Sequence, residues 1–124
     1  MSYKNLEIWI LANELVVEIH EMSLGLPKHE MYEEGSQIRK SSKNVKATIV
    51  EGYGRKIYKP EFLKFLIYSR ASNDETRDHL ENLFNTRSLT NNNLYQSLHN
   101  KIDLLGMKIK NYYEWVHLHY IPSL

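Results

Sequence analysis

Apolar residues recur in this chain at alternating intervals of three and four almost from end to end, and no stretch alternates as a strand does. That spacing gathers apolar side chains on one side of a helix, so each run predicts a helix with one buried face. Ile8, Ala12, Leu15, Ile19 and Met22 form the first stripe, widened by Trp9, Leu11 and Val16. Asn5 suits its N-cap, and Gly25 with Pro27 ends it. The second stripe, Met31, Gly35, Ile38, Ser42, Val45, Ile49 and Gly52, is a seam of unusually small residues. Pro60 followed by Glu61 suits the first turn of a third helix, whose face reads Phe62, Leu66, Ser69, Asn73, Thr76, Leu80 and Leu83 and is partly polar. Beyond the turn-forming Thr90-Asn91-Asn92-Asn93, a fourth helix shows Leu94, Leu98, Ile102, Leu105, Ile109, Tyr112 and Val116. Four long helices with short connections predict an all-α, antiparallel up-and-down four-helix bundle occupying one domain, residues 1–124.

Composition narrows the chemistry. The 124 residues, 42% hydrophobic, suffice for one core. With no cysteine, disulfides, thiolate zinc sites and a cysteine nucleophile are excluded. No apolar run approaches the roughly 20 residues of a membrane span, and the N-terminal MSYKNLEIWI lacks the layout of a signal peptide, so a soluble cytoplasmic protein is expected.

A net charge of +1 hides an uneven distribution. Between Gln37 and Lys64 eight basic residues (Arg39, Lys40, Lys43, Lys46, Arg55, Lys56, Lys59, Lys64) face two acids, Glu51 and Glu61, a local +6. The rest of the chain holds eight basic residues against thirteen acids, a net −5. Arg39, Lys43 and Lys46 follow i, i+4, i+7 spacing along one face of the second helix, with Lys40 beside them and Tyr53 further along. Such a stripe attracts phosphates, and an aromatic ring nearby can stack on a base. The plainer alternative is a solvated face paired with Glu14, Glu18 and Glu21 of the first helix.

The segment Glu51-Gly52-Tyr53-Gly54-Arg55 poses a separate question, whether its glycines form a functional loop or serve packing. It lacks the Gly-x4-Gly-Lys-Ser/Thr of a phosphate loop and the strand and third glycine of a dinucleotide site. The Gly-Tyr-Gly of RNA-recognition modules needs a four-stranded sheet that this chain does not predict. Packing explains both glycines: Gly52 admits a neighbouring helix, and Gly54 relaxes the helix end. A role for Tyr53 and Arg55 beyond packing stays open. Glu51, among small and apolar neighbours, is expected to pair with Arg55 or Arg39 rather than act as a general acid.

Other constellations fall short. A di-iron bundle needs two Glu-x-x-His motifs, and only Glu114 to His117 has that spacing. No arginine is followed five to seven residues later by a histidine, as in one class of small helical nucleases. Neither a cofactor nor a metal is expected.

The pattern Leu6 and Trp9, Leu26-Pro27 with Glu30, Gln37-Ile38-Arg39-Lys40, Glu51-Gly52-Tyr53-Gly54-Arg55, Glu61-Phe62 with Phe65-Leu66, and Ala71-Ser72 with Glu75 resembles the four-helix bundle proteins encoded by intervening sequences of 23S ribosomal RNA genes. The motifs cover roughly the first 85 residues, in order; Lys46 and Thr48 stand where that family usually has proline and asparagine. More distantly the chain resembles the accessory proteins of diversity-generating retroelements, which partner a reverse transcriptase. The resemblance implies a homo-oligomer, a pentamer, associated with RNA or another nucleic acid, and no catalytic activity. Apolar residues off the main stripes, Leu11, Ile67 and Tyr113, fit self-association. The expected nucleic-acid contacts are Arg39, Lys40, Lys43, Lys46, Arg55 and Lys56, with Glu51, Gly52, Tyr53 and Gly54 as a structural motif. The rival reading is a protein-interaction module without nucleic-acid binding.

Overall fold

The computed structural model describes residues 2–122, and every regular element among them is helical. A 3-10 turn, Tyr3–Asn5, leads into α1 (Glu7–Leu24); a short α2 (Lys28–Tyr32) precedes the long helices α3 (Glu34–Gly54), α4 (Lys59–Asn85) and α5 (Asn92–His119). The four expected helices are α1, α3, α4 and α5.

Three helix starts depart from the apolar pattern. Asn5 does not cap α1 but closes the 3-10 turn, because Leu6 is drawn into the core and takes the extended cap position without a side-chain bond. The second stripe is broken at Glu33, whose backbone (φ −103°, ψ −97°) is not helical, so Met31 belongs to α2. Helix α5 starts at Asn92, ahead of the apolar pattern, because the Asn91 side chain accepts the Leu94 amide at 3.0 Å. Pro60 does fall in the first turn of α4.

Helix α3 packs on α1 and α4, and α5 packs on α4 and α1. The predicted stripes supply the core, with Ile19, Ile38, Ile49, Leu80, Leu98, Ile102 and Ile109 fully enclosed. The polar residues of the third stripe are buried too, and most find partners across the α3–α4 seam. Ser69 Oγ donates to the Val45 carbonyl at 3.0 Å, Thr76 Oγ1 to Ser41 Oγ at 2.9 Å, and Asn44 Nδ2 to Ser72 Oγ at 2.6 Å. Asn73 turns to α5 instead. Its Nδ2 donates to the Ile102 carbonyl at 2.9 Å while its buried Oδ1 has no partner. Gly106 makes the room, since a Cβ there would lie 3.0 Å from that Nδ2.

The same seam separates the two glycines of the central motif. A Cβ on buried Gly52 would meet Phe65 Cβ at 3.0 Å and the Phe62 carbonyl oxygen at 3.4 Å, so the close approach of α4 depends on its absence. Nothing from outside its own turn of helix lies within 4 Å of a Cβ on Gly54, the last residue of α3. Of the apolar residues read as a second face, Leu11 and Tyr113 pack against the core and Ile67 alone is exposed. The core takes the first two because α1 and α5 each present more than one apolar row to it.

Candidate nucleic-acid interface

Helix α3 carries four of the predicted contacts, and the structure divides them. Arg39 leans toward α1 and α2, where Nη1 donates to Ser23 Oγ at 2.8 Å and Nη2 to the Met31 carbonyl at 2.9 Å. Lys46 also turns to α1, donating to Asn13 Oδ1 at 2.8 Å with its ammonium 5.4 Å from the centre of the Trp9 ring. These two cations hold the fold together, although their charge still adds to the local field. Lys40 and Lys43 are exposed, and no carboxylate of the described residues pairs with either. Glu14 and Glu21 therefore do not neutralise the stripe, and Glu18 pairs with Lys101 of α5.

Lys40 and Lys43 border a cleft of about 480 Å³ along the outside of the α3–α4 seam. Its α3 wall adds Gln37, Asn44 and Ala47, and its α4 wall is Ser72, Glu75 and His79. The small side chains that let the helices approach also keep this floor open. His79 bonds Glu34 across the upper end of the cleft, whereas Glu75 has no ion-pair partner among the described residues.

The remaining predicted residues lie at the α3–α4 corner. Glu51 pairs with Arg55, with Oε2 3.7 Å from Nε, but both side chains are about half exposed (55% and 49%). The expected pair is present and its expected burial is not, because Glu51 points away from the seam that Gly52 occupies. Arg55 also covers the Phe65 ring at 4.8 Å, and Lys56 lies 3.8 Å from the centre of Tyr53. Tyr53 is half-buried with its ring edge-on to Phe62, so it packs rather than offering a free face for a base. Lys59 is spent on structure, its ammonium donating to the carbonyls of His117 and Tyr120 at 2.9 and 2.8 Å.

Sequence reading missed the α4 side of this surface. Ser72, Tyr68 and Phe65 continue the outer row of α4, four and then three residues apart, and Phe65 meets exposed Tyr68 edge-on at 5.3 Å. The signal was there, two aromatics at helical spacing off the apolar stripe, but it does not say which neighbouring helix they face.

The family model described as 23S rRNA-intervening sequence protein matches residues 4–111. This chain belongs to that family. The match extends through most of α5, well past the motifs that end near residue 85, so family membership is written into the whole helical set. No curated protein matches the chain. No described helix of this 23S rRNA-intervening sequence family member is long and apolar enough to cross a membrane.

Proposed function

We propose that this member of the 23S rRNA-intervening sequence protein family is a non-enzymatic, cytoplasmic, homo-oligomeric bundle that binds nucleic acid, structured or ribosomal RNA foremost, through the outer face of α3. Exposed Lys40 and Lys43 carry the reading: two cations beside a polar cleft, unpaired, in a segment of net +6. The acids nearest them, Glu75 in the cleft wall and Glu51 and Glu61 further along, pair with neither lysine, so both ammonium groups stay available to an anion. Phosphate contacts of this kind position a ligand without reading its bases, so weak sequence preference is expected.

The bundle is read as up-and-down and antiparallel, on the following support. Contacts between neighbouring helices pair early residues with late ones: Asn13 with Lys46, Ser41 with Thr76, Arg77 with Asp103, and Glu7 with Lys108. Self-association is supported by apolar residues that point away from the core. Ile10, Val17 and Leu24 recur every seven residues on α1, and Leu104, Met107, Trp115 and Leu118 share one outer stripe of α5. Exposed apolar rows of this kind on α1 and α5 suit copies packed side by side, with five copies as the resemblance implies. The same apolar stripes favour the second reading, a module that docks another polypeptide such as a reverse transcriptase.

Filter binding of RNA from about 50 to 200 mM salt separates the two readings, because phosphate binding falls by orders of magnitude over that range when several phosphates are neutralised. Lys40→Glu with Lys43→Glu should abolish retention while helicity and oligomer size stay unchanged. Retention that survives both changes would leave the protein-docking reading in first place.

A further inference from the structure

The α3–α4 cleft and the aromatic pair beside it lie on one continuous strip of surface. On α3 the strip runs Gln37, Lys40, Asn44, Ala47, Glu51 and Arg55, at intervals of three and four. Opposite it on α4 run Glu75, Ser72, Tyr68 and Phe65, and the Ser72 hydroxyl bonded to Asn44 fixes the two rows against each other. Tyr68 therefore stands one helical turn beyond the cleft floor, about 6 Å along the axis. Tyr68 is nearly half exposed (46%) and its ring is braced edge-on by Phe65, which is held in turn under the Arg55 guanidinium.

Charge decides which form of nucleic acid this strip suits. Lys40, Lys43, Arg55 and Lys64 face Glu51, Glu61 and Glu75 on the same surface, a net of +1, and Arg55 and Lys64 are already paired with Glu51 and Glu61 at 3.7 and 3.2 Å. A duplex is held through many neutralised phosphates, and one net charge along this strip supplies too few. Stacking is the compensating term, worth about 1–3 kcal/mol per base, and it requires a base free of its own partner. The amides of Gln37 and Asn44 in the cleft wall offer a donor and an acceptor to an unpaired base edge.

We infer that the α3–α4 strip takes single-stranded nucleic acid, with one base stacked on Tyr68 and the adjoining phosphates on Lys40 and Lys43. The inference rests on the nucleic-acid reading above and adds the ligand's form and the residue that selects it. Tyr68 acts as a platform, Phe65 as its support, and the cleft receives the neighbouring base.

Fluorescence anisotropy with a labelled oligouridylate, and with an RNA duplex carrying the same number of phosphates, tests it. The single strand should bind more tightly than the duplex. Tyr68→Ala should weaken the single strand by about 5- to 150-fold, Tyr68→Phe should stay within about twofold of the wild type, and duplex binding should be indifferent to both. Ultraviolet cross-linking followed by peptide mapping should place the oligouridylate on Tyr68, a readout that a loss of stability does not imitate. If Tyr68→Ala binds the oligouridylate as the wild type does, or if the duplex binds better, the inference is overturned. Should Lys40→Glu with Lys43→Glu still abolish binding in that case, the nucleic-acid reading survives it. A wild type that binds neither RNA overturns both.

Discussion

Placing alanine at Gly52 and at Gly54 makes the same chemical change twice, two residues apart, in opposite surroundings. In a helix interior the change gains up to about 1 kcal/mol from helix propensity. At Gly54, the last helical residue, the gain is smaller but nothing opposes it, since no atom from outside its own turn of helix lies within 4 Å of the new methyl and φ is not positive there. At Gly52 the methyl arrives 3.0 Å from Phe65 Cβ, an atom fixed to the α4 backbone, so the helices must part rather than a side chain swing aside. Overpacking of that kind costs about 1–3 kcal/mol. The two alanine variants should thus differ by about 1–3 kcal/mol in stability, Gly54→Ala at or above the wild type and Gly52→Ala below it. Gly52→Leu, with three more carbons and no cavity to take them, should fall further. For a chain of this size each kcal/mol moves the Tm by about 3–5 °C, so thermal unfolding followed by circular dichroism at one protein concentration resolves the difference. Equal Tm values for the two alanine variants would refute the account of Gly52 as the contact point of α3 and α4.

Three further expectations follow from the same structure. Arg39→Met should destabilise the protein by about 1.5–3 kcal/mol, through loss of its charged bonds to Ser23 and Met31, while Lys43→Met stays within about 0.5 kcal/mol in urea unfolding; equal effects would return Arg39 to the surface. Sedimentation at micromolar concentration should show the wild type at several times 14.7 kDa and Leu104→Glu with Leu118→Glu shifted toward the monomer at unchanged helicity, whereas a monomeric wild type contradicts self-association. Burial, reinforced by Tyr53 and Tyr120, pushes the Tyr112 phenol from 10.0 up to about 12. The folded state then holds a proton that the unfolded chain releases near pH 10, so stability falls from about pH 10 to 12, and Tyr112→Phe should flatten that part of the pH profile of unfolding.

The fold was legible because a helix buries what its period aligns. All seven residues of the third stripe are buried as read, including Ser69, Asn73 and Thr76, whose polarity argued against them until their partners on α3 and α5 were in place. Breaks were less legible. Glu33 carries no glycine or proline to announce a kink, and the Met31–Gly35 interval reads the same whether the helix is continuous or not. The geometry of the candidate surface was half legible. Spacing placed Arg39, Lys43 and Lys46 on one side of α3, but a side of a helix spans more than one neighbour. Only packing shows that Arg39 and Lys46 reach α1 while Lys40 and Lys43 face outward. Tyr68 escaped notice for the same reason: its place beside the cleft follows from the bond of Asn44 on α3 to Ser72, and no pattern within α4 records that bond.

Asn73 and Gly106 together form a vernier between α4 and α5. A row of leucines and isoleucines would let one helix slide past the other by a turn at little penalty, because each apolar side chain accepts another as a neighbour. The Asn73 amide donates to only one mark on the scale, the Ile102 carbonyl, and reaches it only over a residue with no side chain. Its unpartnered buried Oδ1 costs stability, so Asn73→Leu should raise the melting point only by giving up the alignment. The two positions are therefore free to change only as a pair. A relative that fills the space at 106 should have surrendered the amide at 73, and its fourth long helix should be held in place by something else.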